Sequence, residues 1–442
     1  MPPLDKPREQ ALSILRRSEE GVFASTLLEQ ARPSFDHRDN AFILELVYGT
    51  LRNRTLLDSV LDRFSEKPVQ GTDAWTRNIL RLGAYQLLFL DRVPASASVN
   101  TAVDLARRHG KKHGYVNGLL RSLDRGRGTI PPPSGKDPVK RLSALYSHPE
   151  WLVRRWTGRF GPETTEIVLA ANNRPAPLIV RTNTLRTTRE QLKASLERAG
   201  AALKETAYSP AGLELLSSPG LPALKAFQDG WFLVQDQAAQ LVGLMLDPKP
   251  GETVLDACAA PGGKATHLAE LMQDRGTVIA LESDRSRIGR IIENSRRLGT
   301  TILQPVRGDA ATYREGSFDR ILIDAPCSGL GVLRRHPDGR WNKSERSIRE
   351  KQALQKKVLE NCSKLVKPGG VLVYATCTTE PEENEDVIRG FLAGHPGFAL
   401  DDPRPFLPGP AAKCIDPEGF FRTFPVEPEM DGFFGARVVR KS

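Results

Sequence analysis

Glu252 to Met272, ETVLDACAAPGGKATHLAELM, is the stretch whose reading decides the fold. Thr253, Val254 and Leu255 make a short apolar run, Ala259 to Gly263 a turn, and from Lys264 onward Leu268, Leu271 and Met272 return at helical spacing. A strand that runs straight into a glycine turn and then a helix is suited to holding a nucleotide. Gly262 and Gly263 let backbone N–H groups come close to a ligand, and the helix behind them points its positive end at the same spot. The same turn also serves as a plain strand-to-helix connection, so its neighbours carry weight. Asp319 to Cys327 (DRILIDAPC) and Gly370 to Cys377 (GVLVYATC) are each an apolar strand that ends in a polar residue and a cysteine. Ligands of an open parallel sheet bind outside the carboxyl ends of the strands, so three such ends predict one shared crevice.

Working outward, 442 residues exceed one ordinary domain and imply two or three. Lys and Arg number 63 against 53 Asp and Glu, a formal net charge of +10 that suits a polyanionic partner. Many soluble proteins are basic too, so charge favours nucleic acid only modestly. The five cysteines form no CxxC pair and no Cys/His cluster at zinc spacing. That pattern predicts reduced thiols in a cytoplasmic protein, with no metal site and no disulfide framework. The opening MPPLDKPREQ lacks a basic and then apolar leader, and no window approaches eighteen apolar residues, so neither a signal peptide nor a membrane span is expected.

Arg8 to Arg127 reads as helix throughout, most strongly at Phe42–Leu61 and Ile79–Leu90. Gly126–Pro138 (GRGTIPPPSGKDP) reads as an extended linker. The predicted boundaries are a helical domain over 1–128, a linker over 129–149, a small α/β adaptor over 150–235 and an α/β domain over 236–442. Trp231 and Phe232 read as core. Past the glycine turn, Thr277–Leu281 is a second strand closed by Glu282, an acidic side chain at the spacing that suits a ribose. Asp284 is its rival. Asp309 closes a third strand (VRGD), where it either meets a ligand or caps the following turn.

The words DACAAPGGKATH, DAPCSGLGVLRRHPD and YATCTTEPEENE resemble motifs of the S-adenosylmethionine-dependent RNA cytosine-C5 methyltransferases, with both marker cysteines present as Cys327 and Cys377. With VPASASVNTAVDLAR and GYVNGLLR in the helical part, the whole chain resembles the Sun/RsmB-type small-subunit rRNA branch, in which an antiterminator-like (NusB-like) domain precedes the catalytic part. The resemblance implies an all-α NusB-like domain, a small α/β adaptor and a Rossmann-like methyltransferase domain. It implies S-adenosyl-L-methionine as cofactor, held by Cys258, Ala259, Ala260, Pro261, Gly262, Gly263, Lys264, Glu282, Asp309 and Asp324. Cys258 contributes backbone more than sulfur. Expected partners are small-subunit (16S) rRNA, with no membrane, no metal and a monomeric state.

Carbon 5 of cytosine is a poor nucleophile until a thiolate adds to C6 and turns C5 into an enamine carbon. Such a reaction needs a reactive cysteine, a partner for the base edge and a base for the departing proton. Composition does not choose between the two cysteines. Resemblance assigns Cys377 as nucleophile, Cys327 as the residue assisting release, and Asp324 to the cytosine edge or the methionine end of the cofactor. It also implies RNA contacts at Arg181 and Asn183, and at the Arg107, Arg108, Lys111, Lys112, His113 edge. Arg334, Arg335, His336, Arg340 and Lys343 form a basic run suited to phosphates. The tail EMDGFFGARVVR resembles the family's last motif, an apolar strand that closes the sheet. Two rivals stand beside this reading: the same chemistry on tRNA, and a non-catalytic RNA-binding or antitermination factor.

Overall fold

The computed structural model describes residues 5–426 and 430–442. Met1 to Leu4 of the opening stretch, and Glu429 at the start of the tail motif, lie outside the described residues. The chain divides into two units that cut across sequence order: residues 1–175 with 333–344, and residues 176–332 with 345–442.

The first unit is helical, and among its described residues there is no strand. Some of its helices are started by acidic side chains: Asp36 accepts from the Asp39 N–H at 2.8 Å, and Asp137 from the Val139 N–H at 2.9 Å. The helix Ala74–Phe89 is buried along most of its length, and Arg81 lies within it. A buried guanidinium needs partners. Arg81 donates twice to Asp58, at 2.7 Å each, and once to Glu19 at 2.6 Å. Burial works against the Glu19 carboxylate, but Arg77, Arg81 and Arg54 together hold its pKa below the ordinary value. The stretch read as a linker contains a helix, Pro138–Tyr146, behind which the Ser147 hydroxyl accepts from the Leu56 N–H at 3.0 Å. Proline at the first helical turn costs no hydrogen bond, so proline-rich composition did not exclude a helix there.

Residues 333–344 belong to this helical unit although they follow the DAPC stretch in sequence. Asp338 accepts from the Ala24 N–H at 2.9 Å, and the Trp341 indole donates to the Leu51 carbonyl at 3.1 Å. Arg340, at 0% exposure, donates to Asn173 Oδ1 at 2.7 Å and to the Ser147 carbonyl at 3.0 Å. Burial, aided by the Arg52 charge, pushes its pKa down to about 9. The basic run expected to meet phosphates is therefore partly internal: Arg340 and Arg334 are buried. Arg335 and Lys343 are half-buried and His336 is exposed.

The second unit holds two sheets. The smaller is antiparallel in the order β2-β3-β1-β4, built from β1 (Leu178–Thr182), β2 (Ala202–Glu205), β3 (Gly212–Ser217) and β4 (Phe232–Val234). Helix Arg189–Arg198 packs Leu192 and Leu196 against it; a capping box between Thr188 and Gln191 starts the helix, and Phe232 is core as expected. The larger sheet comprises β5 (Thr253–Asp256), β6 (Thr277–Glu282), β7 (Leu303–Arg307), β8 (Phe318–Asp324), β9 (Val366–Thr376), β10 (Phe398–Asp401), β11 (Phe421–Arg422) and β12 (Phe434–Arg440). Its order is β10-β12-β9-β8-β5-β6-β7, with β11 paired to β12. The five strands from β9 to β7 are parallel, and β12 closes the sheet antiparallel to β9. The chain leaves β5 toward β6 on one side while β8 lies on the other. That reversal opens a crevice at the carboxyl ends of β5 and β8.

Candidate active site

The crevice gathers the ends of three adjacent strands: Asp256 on β5, Asp324 on β8, and Cys377 just past β9. The β8 and β9 ends are sewn together, since the Ala325 N–H donates to the Ala375 carbonyl at 2.8 Å. Beyond them the Sγ atoms of Cys327 and Cys377 stand 3.2 Å apart. The hydrogen bond from Cys377, then burial, pushes the Cys327 thiol well above its ordinary pKa. Lys264, in the first turn of the helix Gly263–Leu271, places Nζ 2.7 Å from Asp324 Oδ2 and 5.4 Å from the centre of the Phe433 ring. Burial disfavours its charge, but Asp324 outweighs it and raises the lysine pKa.

Two loops carry the sulfurs, and buried polar groups hold both. The Glu383 carboxylate accepts from the Ser328 N–H at 2.8 Å and from Gln355 Nε2 at 3.0 Å; the same Gln355 amide donates to the Pro326 carbonyl at 3.1 Å. Asn384 accepts from the Thr376 hydroxyl at 2.6 Å and donates to the Thr378 carbonyl at 3.0 Å. Gly331 donates to the Cys377 carbonyl at 3.0 Å and accepts from the Gly432 N–H at 2.8 Å, so the tail motif locks onto the DAPC loop. Sequence reasoning missed Gln355, Glu383, Asn384 and the Gly331–Gly432 contact. Glu383 and Asn384 lay within the quoted EPEENE words, whereas Gln355 sits in a charged helix that offers no signal.

The cofactor loop shows where each expected residue stands. Ala259 and Ala260 are buried, Pro261 is exposed and Cys258 half-buried, its thiol pKa raised well above the ordinary value by burial. Arg287 donates to the Ala260 carbonyl at 3.0 Å and Asn294 to the Pro261 carbonyl at 2.9 Å, so the helix Arg285–Leu298 braces the loop. Gly262 has φ +99°, and a Cβ there would stand 3.2 Å from Ile291 Cα. Its N–H donates to the Ala259 carbonyl at 2.6 Å. The glycine is thus required by backbone conformation and the neighbouring helix, and its N–H serves the turn, contrary to the expectation that it faces a ligand. A Cβ on Gly263 would meet Leu233 and Gln235 at ordinary van der Waals distance, nothing nearer than 3.6 Å.

Glu282, buried at the end of β6, accepts from the Asp284 N–H at 2.9 Å, while Asp284 itself caps the next helix through the Ser286 N–H at 2.8 Å. Geometry therefore leaves Glu282 as the strand-end carboxylate. Asp309 is exposed and accepts from the Ala311 N–H at 2.9 Å, the turn-capping role weighed beside the ligand one. Asp256, passed over in the sequence, is fully buried, and neither carboxylate oxygen has a hydrogen-bond partner. Strand-end carboxylates, a glycine loop over a helix N-terminus and an unsatisfied buried carboxyl fit a cationic nucleoside such as S-adenosylmethionine.

Arg181 and Asn183, expected to touch RNA, are internal. Arg181, at 1% exposure, donates to Glu270, Gln235, Thr266 and the Gly263 carbonyl, and Asn183 donates to the Gly230 and Leu298 carbonyls. In the helical unit Arg107, Arg108, Lys112 and His113 are exposed, while Lys111 pairs with Asp73 at 3.3 Å. Among the described residues no cluster of three or more metal-ligating side chains occurs, and no helix is long and apolar enough to cross a membrane.

Comparison with known proteins matches residues 243–439 to the family described as 16S rRNA methyltransferase RsmB/F. Residues 5–125 match the NusB family, and residues 148–220 the ferredoxin-like domain of RsmF/B-like methyltransferases. The probable ribosomal RNA small subunit methyltransferase B of Bacillus subtilis (strain 168) is 38% identical over 403 residues, 89% of this chain and 90% of that one. The chain belongs to the RsmB/F methyltransferase family. The ribosomal RNA small subunit methyltransferase B of Salmonella enteritidis PT4 is 35% identical over 96% of both chains. Among solved structures, PH0851 superposes with a TM-score of 0.82 at 31% identity over 99% of each chain. A methyltransferase homologue from Pyrococcus horikoshii gives 0.59 at 30% identity, over 69% of this chain and 98% of that one. The architecture of this RsmB/F methyltransferase is thus a NusB-like helical domain, a ferredoxin-like domain and a methyltransferase domain, in agreement with the expected fold class.

Proposed function

We propose that this chain transfers a methyl group from S-adenosylmethionine to C5 of a cytosine in 16S rRNA, with Cys377 as nucleophile and Cys327 assisting release. The observation that carries the reading is the pair of thiols 3.2 Å apart at adjacent strand ends, beside the Lys264–Asp324 pair. A single cysteine would suffice for attack alone; two at one point suit a cycle in which a covalent bond is made and later broken. The curated relatives named above carry a ribosomal RNA small subunit in their names, which supports rRNA as the substrate class.

Cys377 adds to C6 of the flipped base, making C5 nucleophilic. Bound S-adenosylmethionine supplies an electrophilic methyl group on a sulfonium. Asp324, oriented by Lys264, meets the base edge, so the base is held while its ring changes charge. Once C5 carries the methyl group its proton passes to a water molecule, the C5–C6 double bond re-forms as the C6–S bond breaks, and the Cys377 thiolate leaves with Cys327 assisting that step. Glu282 would hold the ribose, Asp309 the adenine, and residues 258–264 would enclose the remainder of the cofactor.

The deciding experiment is bisulfite sequencing of rRNA from cells with and without the gene, paired with methyl incorporation by the purified chain into 16S rRNA and into tRNA. Loss of one 16S methylcytosine, with incorporation into rRNA alone, is expected. Incorporation into tRNA alone overturns the substrate, and no incorporation into either overturns the activity.

A further inference from the structure

Asp256 is a carboxyl group with no role in the reaction sequence above. It ends β5, directly before the loop Ala257–Gly263, at 0% exposure. Neither oxygen has a hydrogen-bond partner, although the Cys258 backbone N–H approaches it. The charged groups facing it are Asp324 from β8, Glu282 from β6 and Lys264 from the following helix, together with the Cys258 thiol in the loop. Lys264, the one cation of this set, is already bonded to Asp324 at 2.7 Å. Two carboxylates therefore share one ammonium, and the second stays uncompensated. A buried carboxylate without a partner costs several kcal/mol, so such groups are neutral, or else their partner arrives with a ligand.

We propose that Asp256 is the residue by which this site tells the positively charged sulfonium of S-adenosylmethionine from the neutral thioether of the product, S-adenosylhomocysteine. The inference rests on the S-adenosylmethionine reading above. Both molecules bring the same ammonium, carboxylate, ribose and adenine, so contacts to those groups cannot separate them. They differ by one methyl group and one positive charge. Burial, then the Asp324 charge, raises the Asp256 pKa to about 7, so without cofactor the carboxyl holds its proton about half the time at neutrality. An arriving cation favours the ionised form, and by linkage the ionised form favours the cation to the same extent. The proton goes to solvent when the sulfonium binds. Once the methyl group has left and the sulfur is neutral, Asp256 takes a proton back from solvent, and the product loses the attraction that held the cofactor.

The test is calorimetric titration of the full chain with three probes: S-adenosylmethionine, sinefungin, which carries an amine where the sulfonium methyl stands, and S-adenosylhomocysteine. If the sulfonium lowers the Asp256 pKa by about one unit, then at pH 8, where the free carboxyl is mostly ionised, Asp256→Asn weakens the two cations about tenfold and S-adenosylhomocysteine less than about twofold. A second measurement needs no variant. Titrations of the unmodified protein at pH 6.5, in two buffers of different protonation enthalpy, should show net proton release with S-adenosylmethionine and none with S-adenosylhomocysteine. Equal weakening of all three probes, or equal proton release with both natural molecules, overturns the assignment while leaving the cofactor reading intact. Failure of every probe to bind the unmodified protein overturns both.

Discussion

Arg181 donates two hydrogen bonds to Glu270, Nη2 to Oε1 at 2.7 Å and Nε to Oε2 at 3.1 Å, and both side chains are sealed from solvent. Arg181 lies on β1 of the smaller sheet, and Glu270 on the helix that begins at the cofactor loop. The same guanidinium reaches the Gly263 carbonyl at 2.6 Å, so the ferredoxin-like part of the chain fixes the first turn of that helix.

Removing one partner strands the other charge. Arg181→Met should therefore cost roughly 3–5 kcal/mol of stability, as breaking a buried pair does, while Arg181→Met with Glu270→Leu should recover a large share. Urea denaturation of the three proteins reads this directly. Undiminished stability of Arg181→Met, joined to weaker RNA binding, would return Arg181 to the role its sequence context suggested.

The same residue marks where the sequence is legible and where it is not. The ends of β5, β8 and β9 could be read in advance, because a buried parallel strand is a continuous apolar run and its end is where polarity returns. Burial of a charged side chain has no such local sign. Arg340 meets Asn173 and Ser147 at sequence separations of 167 and 193 residues, so its basic neighbourhood looked like a solvated loop. Asp256 escaped notice for a related reason: a carboxylate after Thr253, Val254 and Leu255 reads as the strand's polar end, and only the fold reveals that neither oxygen gains a hydrogen-bond partner. Gly331 and Gly432, 101 positions apart, look like ordinary loop glycines until their backbones touch.

That contact leaves no room for a side chain. A Cβ on Gly331 would stand 2.0 Å from the Gly432 carbonyl oxygen and 2.9 Å from that of Cys377, both backbone atoms. Gly331→Ala must displace the loop that carries Cys327 relative to Cys377. A shift near 1 Å at reacting groups costs on the order of 10²-fold in rate. Methyl transfer should fall by that order while cofactor affinity changes little, because Gly331 lies outside the loop 258–264. Full activity in single-turnover assays would show that the two loops tolerate separation.

Asp256 also makes a prediction about the cofactor-free fold. Its pKa is about 7 when folded against 3.8 for an unperturbed aspartate. Below the lower value both states hold the proton and the residue has no effect. Between the two values the unfolded chain has lost its proton and the folded chain has not, so stability falls as pH rises, by about 1.4 kcal/mol per unit. Above the higher value the penalty is complete. Asp256→Asn should therefore be no more stable than the parent near pH 4 and clearly more stable near pH 8. Thermal unfolding across that range, taken as the difference between the two proteins, cancels the other titrating groups. A difference independent of pH would show that Asp256 titrates normally.

The division of labour between the sulfurs remains the sharpest test of the proposed chemistry. With Sγ atoms 3.2 Å apart, either thiol has access to the same substrate carbon, so proximity alone does not assign the roles. If Cys377 attacks C6, Cys377→Ala should bind RNA and cofactor yet form no covalent adduct and transfer no methyl group, since the enamine never arises. If Cys327 assists release, Cys327→Ala should attack and methylate but stay attached, and accumulate as a protein–RNA adduct that survives denaturing electrophoresis. The opposite assignment, with the Pro326–Cys327 thiol as nucleophile, predicts the adduct in Cys377→Ala and its absence in Cys327→Ala. Both variants on one gel with methyl-labelled cofactor separate the cases, because the label must travel with the adduct if methylation precedes the blocked step. An adduct confined to Cys377→Ala reverses the roles, and an unlabelled adduct in Cys327→Ala places Cys327 before methyl transfer instead of after it.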